Sequence, residues 1–453
     1  MSRTAVTIAL VLAALLSVAA AVLLSGGGGP GPLPAHLIDV DPALVRSIQL
    51  ILPNGSLRDF APLPTPNPDS GVCISVRRFD GARYTRRLDP AKYTGLLRDL
   101  AAATPLAAGP APDPKTAAAL DISLTDGSRR RLTFAQTPLA GVLAASIPAG
   151  SSTVGITVAA DTFAAWTGDP APLLDPAVFR WPGEPTGLRL TRGPKGAPET
   201  ITFERSGRLW RLTAPVEAAA DRPAVANLLA ALSNLRLRNA GPPPLGVAPD
   251  AAAHIRLMFA SDASTPDVQF LDVLGRTGEV EAVYDGASGP CTLTLRDPDL
   301  THLFDDLSAF LARQSLERPT ADIMGLLIRN PADPLKAARA FRRRGEAWHE
   351  GEQPVAPAEA RPLAQFLEIL GNTPAAAVTL TPPADAEPLA LAAAVGLSEA
   401  ALGEVEVSLA NAPTAAAAGR TRKVLCLTVR KVSRYYAVEA DDPLIAWIRT
   451  AVP

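Results

Sequence analysis

One local pattern recurs three times along the chain and constrains the fold more than any other feature. Gly-x-x-aromatic occurs at Gly81 to Tyr84, Gly207 to Trp210 and Gly345 to Trp348, with the glycines 126 and then 138 residues apart. Phe203 and Phe341 stand four residues before the second and third glycines. The pattern predicts a β-hairpin, with Asp80-Gly81, Ser206-Gly207 and Arg344-Gly345 as two-residue turns in which glycine supplies positive φ. That register sets Phe203 across from Trp210, Ile201 across from Leu212 and Phe341 across from Trp348. In the first copy Arg77 faces Tyr84 instead. Aromatic cross-strand pairs stabilise a sheet by roughly 0.2–1 kcal/mol each.

A helix is predicted after each hairpin. Apolar residues fall at i, i+3, i+4, i+7 in Tyr93/Leu96/Leu97/Leu100, Val225/Leu228/Leu229/Leu232 and Leu363/Phe366/Leu367/Leu370, one stripe on one face. Asp89-Pro90 and Asp221 with Pro223 are start signals, whereas the third helix has Pro362 and a weaker cap. Alternating strand patterns follow: Ile122 to Leu124 with Arg131 to Phe134, Ile255 to Phe259 with Val268 to Leu274, and Val405 to Leu409 with Val424 to Val429. Each copy closes on a predicted helix near Asp161 to Trp166, Asp299 to Phe304 and Asp442 to Trp447, where the aspartates read as caps. The expected fold class is α+β, in about three repeated domains, each an antiparallel sheet with two packed helices. The expected boundaries are 38–172, 175–313 and 320–453, with Leu173-Leu174-Asp175-Pro176 and Glu317-Arg318-Pro319 as joints.

Ahead of the repeats, Ala5 to Leu24 holds no charge and no proline. Twenty residues in a helix span ~30 Å, the thickness of a bilayer core. Arg3 precedes the run and the next basic residue is Arg46, which places the N-terminus in the cytoplasm. Residues 1–25 are therefore expected to form a transmembrane anchor and 26–37 a Gly/Pro linker. The chain would be a single-pass inner-membrane protein with a periplasmic body. The competing reading is a cleaved secretory signal ending near Ala19-Ala20-Ala21, which exports the body equally.

Chemistry is sparsely marked. With 43 basic and 45 acidic residues the formal charge is −2, which gives no electrostatic footprint for nucleic acid. The four histidines, His36, His254, His302 and His349, stand apart, and no zinc, nucleotide or serine-hydrolase motif is present. On a helix, Asp299, His302 and Asp306 would share a face able to hold a divalent cation; the alternative is a solvated polar face. Arg129-Arg130-Arg131 and Arg342-Arg343-Arg344 read as solvated edge strands or as contacts for an anionic surface. Cys73, Cys291 and Cys426 read as small buried hydrophobes, with one disulfide at most. No catalytic, cofactor-binding or metal residue is nominated, and no enzymatic activity is expected.

The second copy reads Ile201-Thr202-Phe203-Glu204-Arg205, then Trp210-Arg211-Leu212, Pro215, Asp221 and the Leu228-Leu229 stripe. This resembles the domain-of-unknown-function 4340 family of bacterial membrane-anchored proteins, most clearly over 185–300. The resemblance implies an extracytoplasmic companion of ABC-type export permeases and of gliding-motility auxiliary components. It carries no catalytic residues. The expected function is thus a non-enzymatic accessory subunit of an ABC-type export complex, anchored in the bilayer by its N-terminal helix. The alternatives are a ligand- or glycan-binding protein and a hydrolase with an unidentified site.

Overall fold

The computed structural model describes residues 33–62, 71–149, 152–193, 197–243, 251–259, 267–274, 280–286, 289–296, 298–316, 318–333, 338–396, 401–413 and 423–453. Three antiparallel sheets of nine strands follow one another. The first contains β1 (Val45–Ile51), β2 (Leu57–Pro62), β3 (Val72–Arg77), β4 (Arg83–Arg87), β5 (Ala107–Ala108), β6 (Ala118–Leu124), β7 (Arg129–Gln136), β8 (Val142–Ala149) and β9 (Ser152–Ala159). Their order is β4-β3-β2-β1-β6-β7-β8-β9-β5. Thus β1 to β4 form one meander and β6 to β9 another, joined at the antiparallel β1–β6 pair. β5 crosses to the far edge and pairs with β9.

Each meander ends in a helix, Pro90–Ala102 after the first and Asp161–Thr167 after the second. Both helices cover one sheet face, because Phe60 on β2 packs on both Tyr93 and Trp166, at 6.3 and 5.2 Å between ring centroids. Phe134 on β7 stacks on Phe163 at 4.1 Å. The helix stripe Tyr93, Leu96, Leu97 and Leu100 is buried as its spacing predicts. Each such leucine contributes roughly 1.5–3 kcal/mol relative to exposure.

The sheets that open at Pro185 and Gly325 have the same order, position for position. First strands start at Val45, Pro185 and Gly325, so the interval is 140 residues both times. The stripes at Val225 and Leu363 lie on the helices Arg222–Ser233 and Pro357–Gly371. Asp89, Asp221 and Asp442 cap their helices, with each carboxylate accepting from backbone N–H groups. Asp161 instead sits inside the first turn of its helix, and Pro357–Gly371 begins at Ala356 with no side-chain cap.

Several expectations are corrected. The chain is mostly β, not an α+β fold of sheets with two helices each. Two-residue strands such as Ala107–Ala108, Ala218–Ala219 and Gln353–Pro354 are too short to show alternation, so the sequence pattern undercounts strands. The second repeat has no closing α-helix: Thr301–Phe304 and Leu307–Phe310 are two 3-10 turns. Asp299 accepts from the Thr301 N–H and Asp306 from the Ser308 N–H, so two local caps restart the backbone and cut the segment in two. The proposed anchor, 1–25, lies outside the described residues, as does most of the 26–37 linker. Among the described residues no helix is long and apolar enough to cross a membrane, the longest having 15 residues. The single-pass inner-membrane reading and the periplasmic placement built on it therefore find no spanning helix among the described residues.

The hairpin register is also corrected. Trp210 lies across from Arg205, Phe203 from Leu212, Trp348 from Arg343 and Phe341 from Glu350. Gly207 and Gly345, both at φ 61°, are the first turn residues, with Arg208 and Glu346 second. Glycine in that first place is the type II′ arrangement, whereas the expected register put it second, as in type I′. Moving the turn by one residue slides the pairing by two, which keeps Trp210 on the Phe203 face but diagonal to it. In the first repeat Tyr84 faces Val76 and Gly81 joins the third and fourth strands, whereas Gly207 and Gly345 join the second and third. The first motif is therefore one hairpin out of step.

By compactness the chain forms two units. Unit 1 contains residues up to Arg180 with Leu235–Ala252 and Gln269–Pro298; unit 2 contains Trp181–Asn234, Ala253–Val268 and Asp299–Pro453. Unit 1 thus holds the first sheet and, of the second, Arg236–Gly241 with the strands from Gln269 on, and unit 2 the other strands of the second and the whole third. Each unit encloses one joint, and the joints are built alike. The segment after the closing helix or turns first pairs with the fourth-strand end of its own repeat: Asp89 N–H donates to Leu173 O in unit 1, and Asp221 N–H to Phe310 O in unit 2. It then pairs with the run that opens the next repeat's fifth strand, through Leu237 N–H to Pro176 O and through Ala375 N–H to Arg313 O.

Candidate functional site

The residues singled out by sequence are dispersed by the fold. His302 Nδ1 lies 2.8 Å from Asp305 Oδ2, and Asp299 and Asp306 are occupied as turn caps. Hydrogen bonds from Thr301 and Ser308 hold the Asp299 and Asp306 carboxyls below the usual carboxylate range. Among the described residues no group of three or more His, Cys, Asp or Glu is placed to hold a metal ion. Cys73, Cys291 and Cys426 are buried and unpaired with one another. Burial pushes all three thiols up, Cys73 to about 11, which removes the thiolate that a nucleophile needs. Trp348 is half-buried against the core of the third sheet.

The arginine runs do not lie on edge strands. Arg129 to Arg131 are on β7, between β6 and β8, and Arg342 to Arg344 are on the second strand of the third sheet. Arg344 makes a two-pronged pair with Glu352 at 2.8 and 3.0 Å, and Arg131 Nε sits 3.6 Å from Asp121. Asp121 on the neighbouring strand and Glu352 in a turn each pair one arginine of a run, and both runs lie on interior strands and not at an edge.

Each unit has a groove at its joint. The groove of unit 1, about 1020 Å³, takes Lys92 from a helix, Arg236 and Arg238 from one strand and Arg296 from another, with Asp99 and Asp169 among them. Arg236 and Arg296 are direct cross-strand partners. The groove of unit 2, about 340 Å³, collects Arg208 and Arg211 from the Trp hairpin, Arg222 from the first turn of its helix and Arg318 from the joint. Leu209 and Trp210 line the same groove, and among the described residues no carboxylate does. Glu217, beside the groove, is shared between Arg211 at 3.7 Å and Arg430 at 3.0 Å.

Backbone and hydroxyl contacts fix the second groove. Ala312 N–H donates to Ala219 O, Arg434 Nε donates to Ala312 O at 2.9 Å, and Ser315 Oγ lies 2.6 Å from the Tyr436 hydroxyl. The arrangement presents fixed cations beside an apolar surface, which suits binding of a carboxylate- or phosphate-bearing partner and brings no nucleophile–base pair with it. Sequence reasoning passed over all four arginines. Arg208 and Arg211 read as ordinary hairpin charges and Arg318 as joint punctuation, because nothing local says that positions about 100 residues apart line one groove. No family model matches the chain, and no curated protein matches it.

Proposed function

We propose that this chain is a non-enzymatic interaction protein, an accessory subunit that holds anionic parts of its partners at its joints. The observation that carries this reading is the convergence of Arg208, Arg211, Arg222 and Arg318 on one groove of a chain whose net charge is −2. A near-neutral protein that gathers guanidinium groups in one concavity focuses its field there and selects partners by local charge. The proposed assembly is an export complex of the ABC type. That choice rests on the Trp hairpin, Asp221 and leucine-helix residues that resemble the domain-of-unknown-function 4340 family.

A second reading, a binder of a soluble or glycan ligand, is favoured by one feature. The groove of unit 1 is the roomier and mixes both signs of charge. Crosslinking in the producing cells, followed by identification of the captured chain, separates the two. A permease subunit recovered with the protein supports the accessory role. Recovery of the protein alone under several crosslinkers, together with a thermal shift on adding glycans, supports the second reading and sinks the first.

A further inference from the structure

We infer that the groove of unit 2 is a docking site for an acidic, extended segment of a partner protein that carries one large apolar side chain among its carboxylates. This inference rests on the proposed interaction role and assigns it a place and a chemistry. Four guanidinium groups line the groove, and guanidinium stays protonated at any physiological pH. The described carboxylates at its margin are engaged, Glu217 with Arg211 and Arg430, Asp221 as a helix cap and Glu368 with Asn372, while the four arginines line the groove itself. Arg222 sits in the first turn of a twelve-residue helix whose N-terminus the Asp221 carboxylate caps.

The apolar part of the groove decides what kind of anion fits. Leu209 is 60% exposed, beside a half-buried Trp210, and both line the groove with Leu316. A phosphate or a polysaccharide sulfate gains nothing from that surface. A peptide gains twice, with carboxylates forked onto arginines and one side chain covering Leu209 and Trp210. The volume, about 340 Å³, accepts a side chain or two and not a folded domain. Ala219, Ala220 and Ala312 also line it, and such small side chains let an extended backbone come close.

The test uses the full chain and a fluorescein-labelled synthetic peptide with four glutamates around one phenylalanine, read by anisotropy. Binding is expected to weaken about tenfold or more in the double variant Arg222→Glu, Arg318→Glu, and to fall steeply as ionic strength rises toward ~0.5 M. Leu209→Ser is expected to weaken it about threefold, the effect of losing one modest apolar contact. These positions are exposed, and unchanged melting curves for the variants confirm that the fold is kept. Wild-type affinity in the double variant overturns the inference. So does full displacement by polyphosphate together with no effect of Leu209→Ser, which would make the groove a simple anion site. If crosslinking captures the same permease with wild type and double variant, the groove assignment fails while the accessory role stands. If the peptide binds as expected and no partner is captured, the accessory role fails while the groove assignment stands.

Discussion

The two joints solve one problem with different chemistry. In unit 1 Lys92, Arg236, Arg238 and Arg296 line the groove beside Asp99 and Asp169, while two further arginines are turned inward onto the joint. Arg86, 4% exposed, donates to Ala177 O and Val178 O at 2.5 and 2.7 Å and lies 4.6 Å over the Tyr284 ring. Arg87 pairs with Asp175, and Gln269 binds the Arg180 backbone while accepting from the Tyr284 hydroxyl. In unit 2 the joint is held by apolar burial and neutral hydroxyls, with Phe310 against Phe203 and Ser315 on Tyr436. There Arg434 turns inward onto the Ala312 carbonyl, and Arg208, Arg211, Arg222 and Arg318 line the groove. A backbone splice with the same hydrogen bonds can therefore be sealed by buried cations or by apolar packing. Both joints display cations in their grooves, and the groove of unit 1 mixes them with the carboxylates Asp99 and Asp169.

Four substitutions or conditions break or sharpen that contrast. Phe310→Ala in the apolar joint is expected to cost about 4 kcal/mol in urea unfolding of the full chain, because the cavity sits at a fully buried ring. Arg86→Ala is expected to cost about 3 kcal/mol, since it orphans two buried carbonyls and a tyrosine face. Arg434→Ala should cost about half as much; a loss equal to that of Arg86→Ala would erase the difference between the joints. Alkali should act on unit 1 next. Burial pushes Cys73 to about 11 and Tyr84 to about 12, both above their ordinary values of 9.0 and 10.0. The folded form keeps these protons while the unfolded form releases them, so stability is full below pH 9 and falls as pH rises through 9 to 12. A flat unfolding midpoint across that range would remove burial as the cause.

The smallest effect is a gain. Arg430 and Lys431 form the two-residue turn between Lys423–Val429 and Val432–Glu439, with φ of 47° and 72°. Side-chain-bearing residues are strained in this region, and Lys431→Gly should stabilise the chain by about 1 kcal/mol. Arg430→Gly should gain less, because it also removes the contact with Glu217. Equal gains in denaturant midpoint would show that the exposed Arg430–Glu217 pair adds nothing to the second joint.

Much of the framework is legible in the chain alone. The helices at Pro90, Arg222 and Pro357 follow from leucine spacing, and the caps at Asp89, Asp221 and Asp442 follow from residue type. What escapes is whatever depends on a choice between near-equal local options. Gly207 serves either glycine-containing turn, and only the folded register tells which. Asp299 and Asp306 are good caps for one helix or for two short turns, and tertiary packing of Leu303, Leu307 and Phe310 selects the turns. Arg86 looks like any strand arginine, yet it is buried because Tyr284, far along the chain, offers it a face. The groove arginines escape for the same reason: their meaning lies in neighbours that sequence distance hides.

Within each sheet the strand order reads the same outward from β1 and β6, and each half is four strands and then a helix or its turns. A unit far smaller than a repeat, a β-meander with one helix doubled about its first strand and then copied whole, would generate this arrangement. Evolution could vary the number of copies in whole steps, since every joint meets a fourth-strand end behind and a fifth-strand start ahead. Under that history, a lost or gained copy is a conservative change, and novelty is cheapest in the side chains that surround the joints.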